Sequence, residues 1–327
     1  PKELAPEQKL LMQWMVMAEM IRKQNIKQFQ DSVKVCQNFE NKGFANCILK
    51  GQGNALLYPD PYMRTPGDID IYLAGGRKRV MQYINKVCPN QVMRYHHVDF
   101  PVMKTAIEVH FTPSYMFFPI HNSRMQKWFK EVMGEQCNHR VSLPDGYGEI
   151  HVPQVSFNVI YILSHLYRHI FTEGIGLRQL LDYYFVLLKW HTDLTNLTNS
   201  NNSLPQMTQI NTDLDALRHE LKYLGLWKFA GAVMYVLHEV FGLSEDRMIA
   251  PMDEKEGWFL LDEIMRGGNF GQYDDRMGSK AGESKIHRYF RMNLRNLRFV
   301  KHYPTEALSE PLFRTWFALW KKIHGIR

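Results

Sequence analysis

The chain has 327 residues, of which 45% are hydrophobic and 22% are charged, and this balance excludes an intrinsically disordered protein. Its length exceeds the size at which a single hydrophobic core usually stops growing, so we expect two domains. The formal charge of +7 favours anionic partners without distinguishing a nucleotide from a nucleic acid or an acidic membrane.

Cysteine spacing and hydropathy bear on where such a protein works. The cysteines Cys36, Cys47, Cys88 and Cys137 form no CxxC pair, which argues against a zinc knuckle and against a disulfide framework. No apolar run approaches the ~18 residues of a membrane span. We therefore expect a cytoplasmic protein without a transmembrane segment.

The first predicted element is a long helix over residues 7–39. Leu10, Trp14, Met17 and Ile21 recur at helical spacing after a proline that suits a first turn. The methionines between positions 12 and 20 are expected to fill gaps in the core.

A mixed α/β segment follows. Short apolar runs at 47–49, 69–73 and 106–111 are interrupted by glycine and proline, and the last two alternate with the period of a strand. A helix is predicted between them over residues 77–87. With the N-terminal helix, this segment is assigned to a first domain of residues 1–150.

Helices dominate the second half. Apolar residues at three- and four-residue spacing predict helices over 155–171, 177–190, 214–241, 254–265, 284–301 and 311–324. Residues 151–327 are therefore predicted to form an all-helical domain.

The pair Asp68 and Asp70 is the first chemical signal. Because side chains alternate along a strand, both carboxylates project from the same face and can bind the same ions. Such carboxylates repel one another, and hard oxygen ligands select Mg²⁺ or Mn²⁺. Taken alone, an Asp-x-Asp pair is weak evidence because it often occurs by chance.

Two further features strengthen that signal. The segment Lys50-Gly51-Gln52-Gly53 is a strand end followed by a glycine turn, whose backbone N–H groups can approach phosphate oxygens. Glu108 lies inside an apolar run, where an unpaired carboxylate is costly. A metal ion shared with Asp68 and Asp70 would satisfy all three carboxylates.

These residues resemble the nucleotidyltransferase superfamily with the DNA polymerase β-like fold, in which a glycine turn precedes an Asp-hydrophobic-Asp strand and a separate acidic strand. A closer resemblance is to an uncharacterised nucleotidyltransferase family found in many bacteria. It is carried by Leu49-Lys50-Gly51, Leu57-Tyr58-Pro59, Arg64, Gly67-Asp68-Ile69-Asp70, the helix with His165 and His169, and Leu177-Arg178-Gln179-Leu180-Leu181-Asp182. Gln52 departs from the superfamily, which usually has glycine or serine after the first glycine.

The resemblance implies an α+β fold, with a nucleotidyltransferase-type small mixed sheet, flanking helices and a C-terminal helical domain closing over nucleotide and acceptor. It implies transfer of a nucleoside monophosphate from an NTP such as ATP to an acceptor hydroxyl by two Mg²⁺ or Mn²⁺ ions. Asp68, Asp70 and Glu108 would be the catalytic metal ligands. The acceptor is unidentified, with a small molecule favoured over RNA or protein.

The same resemblance suggests residues that contact the nucleotide. Lys50 and Arg64 would contact phosphates together with the turn of Gly51, Gln52 and Gly53; an ordinary surface lysine and a loop ion pair are the alternatives. Arg178 and Asp182 would face the nucleotide or the acceptor, or would form an intrahelical ion pair.

Other residues leave alternatives open. His165 and His169 are spaced for a metal site, although a packing role is favoured because no HExxH glutamate accompanies them. His110 would orient Glu108, touch a metal or lie in the core.

Two other functions remain as alternatives. One helical face is basic and consists of Arg288, Arg291, Arg295, Arg298 and His302. Such a face can bind the phosphates of RNA, or it can simply be exposed to solvent. The departure at Gln52 leaves a catalytically silent nucleotide sensor or scaffold as a further alternative.

Overall fold

The computed structural model describes residues 6–200, 206–268 and 284–326. The strands are β1 (Asn46–Ile48), β2 (Ile69–Leu73), β3 (His97–Asp99), β4 (Ile107–His110), β5 (Arg140–Ser142) and β6 (Glu149–His151). The helices are α1 (Gln8–Glu40), α2 (Gln52–Ala55), α3 (Gly76–Val87), α4 (Pro119–Gln136), α5 (Val155–Phe171), α6 (Leu177–Ser200), α7 (Gln206–Tyr223), α8 (Trp227–Phe241), α9 (Glu254–Gly267), α10 (Lys285–Val300) and α11 (Pro304–Ile323).

A small mixed sheet has the strand order β1-β2-β4-β3, and β5 pairs with β6 in a separate hairpin. β2 and β4 run parallel, whereas β1 and β3 are antiparallel to their neighbours. This register sets Asp70 of β2 directly opposite Glu108 of β4. The expected α+β architecture is confirmed, and its central strands carry the predicted acidic residues.

Helix α1 is buried over its second half only. Phe29 and Phe39 are fully buried, whereas Met12, Trp14 and Met17 are more than half exposed. The prediction that the early methionines fill the core is therefore wrong. A helix of 33 residues is about 50 Å long. The longest strand among the described residues, β2, has five residues and spans about 17 Å, so the sheet supports only part of α1.

The chain forms two compact units that interleave in sequence. The first consists of Pro1–Phe111 and Gly134–Pro153, and the second of Thr112–Met133 and Gln154–Arg327. Residues 112–133 thus belong to the helical unit, although they lie within the range assigned to the first domain from sequence. The roles expected for the two domains remain predictions.

The second unit is built around helices that are buried along most of their length. Residues 157–171 of α5 and 229–237 of α8 are buried throughout. The single helix predicted over 214–241 is divided into α7 and α8 at Gly225, which has φ +76°. Glycine adopts this left-handed conformation easily, and it ends the α-helix. Within the described ranges, no helix combines the length and apolar character needed to span a bilayer.

Candidate active site

The candidate site is built on the adjacent strands β2 and β4 of the first unit. Asp70 is 3% exposed, and the side chain of Glu108 is 28% exposed. One oxygen from each carboxylate and one ring nitrogen of His110 all lie within 4.8 Å of one another. Three potential metal ligands therefore converge at one position on the sheet.

The chain enters the site through a glycine turn after β1. The backbone N–H of Leu49 donates to the carbonyl of Asp70 at 2.9 Å, which extends the pairing of β1 with β2. Gly51 then turns the chain with φ +60° and ψ −112°, a conformation suited to glycine. As a result, Lys50 Nζ lies 3.1 Å from Asp70 Oδ2.

Asp70 is held in its ionised form by two cationic neighbours. Burial acts to raise its pKa, but the charges of Lys50 and His110 and their hydrogen bonds outweigh burial and hold the pKa of Asp70 below its ordinary value. His110 Nε2 lies 2.9 Å from Asp70 Oδ1 and 3.5 Å from Glu108 Oε2. Burial acts to lower the pKa of His110, yet the two carboxylates raise it above its ordinary value.

Asp68 lies one residue before β2 and is only partly buried. The negative charge of Asp70, assisted by burial, raises the pKa of Asp68 to about 6, and Lys50 only partly opposes this. Asp68 therefore experiences repulsion from Asp70 that the charge of Lys50 relieves only in part. A divalent cation would relieve it, so the oxygen-rich donor set fits a metal such as Mg²⁺ or Mn²⁺.

Glu108 contacts two histidines, His97 and His110. Burial acts to raise its pKa, but the hydrogen bond from His110 and the nearby His97 outweigh burial and lower the pKa of Glu108. His97 Nδ1 lies 3.4 Å from Glu108 Oε2. The alternation of residues along β4 places His110 on the same face as Glu108, so the sequence alone points to His110. No sequence signal points to His97, because its contact with Glu108 depends on the pairing of β3 with β4.

The two residues after Gly51 pack inside the first unit. Gln52 is fully buried, and its Nε2 donates to Asn25 Oδ1 at 3.3 Å. A Cβ atom on Gly53 would lie 2.9 Å from Val152 Cγ1, so this glycine permits close packing. Arg64 is 7% exposed, and its Nη1 lies 3.5 Å from the carbonyl of Thr65. The geometry thus gives these three residues structural roles beside their predicted contacts with phosphate.

The remaining predicted residues lie in the second unit. Arg178 and Asp182 occupy the first two turns of α6, where Asp182 is buried, and their contact with nucleotide or acceptor remains a prediction. His165 and His169 are buried with ring centroids 4.3 Å apart, and an Arg168 Nη2 atom lies 3.0 Å from His169 Nε2. A guanidinium at this position disfavours a metal cation, in agreement with the packing role.

The predicted basic face on α10 is partly internal to the helical unit. Arg295 is 8% exposed and donates to the carbonyl of Ile170 at 3.2 Å, and Arg298 forms an ion pair with Glu263. The side chain of Arg288 lies outside the described residues. Because Arg295 and Arg298 bind within the protein, they do not contribute to a continuous solvated stripe for RNA.

Comparison with known proteins identifies a family for most of the chain. The family described as "Uncharacterised nucleotidyltransferase" matches residues 1–242. No protein among those with curated function matches. A solved structure described as an antigenic nucleotidyltransferase-like protein from Paracoccidioides brasiliensis is 13% identical, with coverage of 61% of this chain and 92% of that chain and a TM-score of 0.33. The family match spans most of the sequence and includes Lys50, Asp68, Asp70 and Glu108, so the chain belongs to the uncharacterised nucleotidyltransferase family.

Proposed function

We propose that the protein transfers a nucleoside monophosphate from an NTP to an acceptor hydroxyl, with a small molecule as the favoured acceptor. The observation that carries this proposal is the convergence of Asp70 and Glu108 on neighbouring strands, with Lys50 against Asp70. Asp68 is close enough for the charges of both carboxylates to raise its pKa. Family membership supports the general class of reaction.

Each side chain has a distinct role in this proposal. Asp68 and Asp70 would hold the metal ions, and Glu108 would be the third carboxylate ligand. Bound Mg²⁺ or Mn²⁺ ions would lower the pKa of the acceptor hydroxyl and neutralise the triphosphate. His110 holds Asp70 and Glu108 in place through its contacts with both carboxylates.

Lys50 supplies positive charge on the phosphate side. Its ammonium group lies 3.1 Å from Asp70 Oδ2. Its backbone leads directly into Gly51, whose turn allows close approach of the main chain to a phosphate. In the reaction, the hydroxyl oxygen forms a bond to the α-phosphorus and the bond to the β-phosphate bridge breaks. Pyrophosphate leaves, and the proton of the hydroxyl passes to water.

The proposal is tested first by binding. Wild-type protein should bind a non-hydrolysable NTP analogue only when Mg²⁺ or Mn²⁺ is present, as measured by calorimetry. Glu108→Gln should weaken this metal-dependent binding by at least about tenfold, because loss of groups that merely support metal ligands already costs that much. Glu149→Gln is the matched control: it removes a carboxylate from an exposed strand position in the same unit and should leave binding unchanged.

Transfer is tested second, with α-labelled NTPs and a cell extract. Label that appears on a small molecule, and fails to appear with Glu108→Gln, supports the enzyme. Metal-dependent binding without any transfer would identify a nucleotide sensor instead. Equal binding by wild-type and Glu108→Gln protein would refute the proposed metal site.

A further inference from the structure

Three histidine rings meet beside the carboxylates of the first unit. His97 of β3 is the register partner of His110 of β4, and His96 directly precedes β3. The ring centroid of His96 lies 4.4 Å from that of His97 and 5.1 Å from that of His110. Each ring offers one nitrogen, and the three nitrogens all lie within 4.8 Å of one another.

The spacing of these nitrogens suits a single metal ion. His97 Nδ1 and His96 Nε2 are 3.2 Å apart. Two imidazole nitrogens that bind one tetrahedral zinc ion lie roughly 3.3 Å apart, because each is about 2.0 Å from the metal. Glu108 Oε2, at 3.4 Å from His97 Nδ1, is in place to supply an oxygen ligand.

Burial and charge also favour a bound cation. His96 is 4% exposed and His110 is 1% exposed, and the Nδ1 atom of His110 is buried without a hydrogen-bond partner among the described residues. Asp70 and Glu108 place negative charge next to the rings. The histidine pair of the second unit, His165 and His169, contacts the guanidinium of Arg168, which disfavours a bound cation. This pair therefore serves as a control for the histidines of the first unit.

We propose that His96, His97 and His110 form a binding site for a zinc-class transition cation, with Glu108 as its oxygen ligand. Imidazole nitrogen selects zinc, cobalt or nickel, whereas the oxygen ligands of the carboxylate site select Mg²⁺ or Mn²⁺. The inference rests on the histidines and stands independently of the proposed transferase function. Because Glu108 is common to both sets, occupancy of the histidine site is expected to weaken Mg²⁺-dependent nucleotide binding.

The test uses Co²⁺ as a spectroscopic probe of the untagged full chain at pH 8, in the absence of nucleotide. Cobalt bound by histidine nitrogen should give the visible d–d absorption of a four- or five-coordinate ion, and Zn²⁺ should abolish this absorption by displacement. His97→Gln should weaken cobalt binding by at least about tenfold. The matched control His169→Gln, at the comparison pair, should bind cobalt as the wild type does.

A second measurement keeps the proposal testable if a variant fails to fold. His97 is partly exposed to solvent, so its substitution disturbs the core less than substitution of His96 or His110 would. Circular dichroism checks that the His97→Gln protein is folded. In the wild-type protein, addition of Zn²⁺ should shift the ¹⁵N resonances of the His96, His97 and His110 rings. Absence of d–d absorption, or absorption that survives in folded His97→Gln protein, would overturn the proposal.

Asp68→Asn separates this inference from the proposed function. Asp68 is not among the histidine ligands, so this variant should retain cobalt binding while losing Mg²⁺-dependent binding of the NTP analogue. Cobalt binding without any nucleotide binding in the wild type would refute the transferase proposal alone. Nucleotide binding without cobalt binding would refute the histidine site alone.

Discussion

Asp68 and Asp70 are two residues apart but differ in their electrostatic environment. Lys50 and His110 lie against Asp70 and hold its pKa low, whereas the charge of Asp70 raises the pKa of Asp68 to about 6. In the metal-free protein the ionised Asp68 is therefore a source of instability. A residue that lowers the free energy of unfolding but is suited to bind a cation is typical of a functional site.

Asp68→Asn should stabilise the metal-free protein at pH 8 by about 1 to 2 kcal/mol, because it removes the repulsion with Asp70. The folded-state pKa lies above the ordinary value of 3.8, so the unfavourable contribution is fully present above about pH 6 and absent below about pH 3.8. The gain in the free energy of unfolding, measured by urea denaturation, should therefore fade between pH 6 and pH 4.

The control for that prediction is Asp215→Asn, which removes an exposed carboxylate whose nearest cationic partner is Arg218 at 3.5 Å. Its effect should stay within about 0.5 kcal/mol at every pH tested. A wild-type protein that is more stable than Asp68→Asn at pH 8 without metal would contradict the account of Asp68.

Gly51 is a second residue of the site, and its backbone conformation favours glycine. Its φ of +60° with ψ of −112° strains any residue with a Cβ atom, although space for the Cβ itself exists 3.6 Å from the carbonyl of Asp68. Gly51→Ala should therefore cost about 1 to 3 kcal/mol of stability and weaken metal-dependent nucleotide binding. Gly67→Ala meets no atom within 4 Å and should change the urea midpoint little. Equal effects at the two positions would contradict the argument from backbone conformation.

Helix α1 supports the site at the scale of the element. Asn25 is fully buried, and its Nδ2 donates to the carbonyls of Tyr62 and Arg64, each at 2.7 Å. Its Oδ1 accepts from Gln52 in the glycine turn. One side chain on α1 therefore ties together two loops that lead to β2.

Asn25→Ala should lower the free energy of unfolding by about 2 to 3 kcal/mol, since it leaves buried carbonyl groups and the Gln52 amide without their partner. The change is measured by urea denaturation, with hydrogen exchange to follow the loops. Gln24→Ala, at the neighbouring exposed position of the same helix, should have little effect. Similar losses for both variants would indicate that helix propensity, and not the buried hydrogen bonds, is responsible.

At the scale of the whole molecule, Glu306 joins distant parts of the helical unit. It is 1% exposed and accepts from the backbone N–H of Phe117 at 2.7 Å and of Phe118 at 3.1 Å, while His121 Nδ1 lies 3.0 Å away. These contacts span more than 180 residues of sequence. They explain why residues 112–133 belong with the helices that follow Gln154.

Glu306→Gln should accelerate hydrogen exchange at the amides of Phe117 and Phe118, because a neutral amide oxygen accepts these bonds less strongly than a carboxylate. The expected loss of stability is about 2 kcal/mol. Amides of β2 and β4 serve as internal references, and Glu131→Gln, at an exposed pair with Lys127 on α4, is the matched variant. Unchanged exchange at Phe117 and Phe118 would show that other contacts hold this segment.

Features that repeat along the chain could be predicted from the sequence. The period of two around Asp70 and Glu108 predicts β2 and β4, and repeated helical spacing predicts α5. In each case the same spacing of apolar residues recurs several times within a short segment. β3, with three residues, is too short for its period to be recognised. The break at Gly225 was missed because the apolar spacing continues across it.

The sequence by itself determined the candidate carboxylates, the small mixed sheet and the helical second half, since each depends on chemistry or periodicity within a short segment. Only the tertiary structure decided that Asp70 faces Glu108, that Gln52 is buried against Asn25, and that His96 and His97 meet His110. These contacts join residues from 13 to 38 positions apart and depend on strand register and helix packing. Such pairings depend on the free energy of the whole fold, and a local sequence pattern does not determine them.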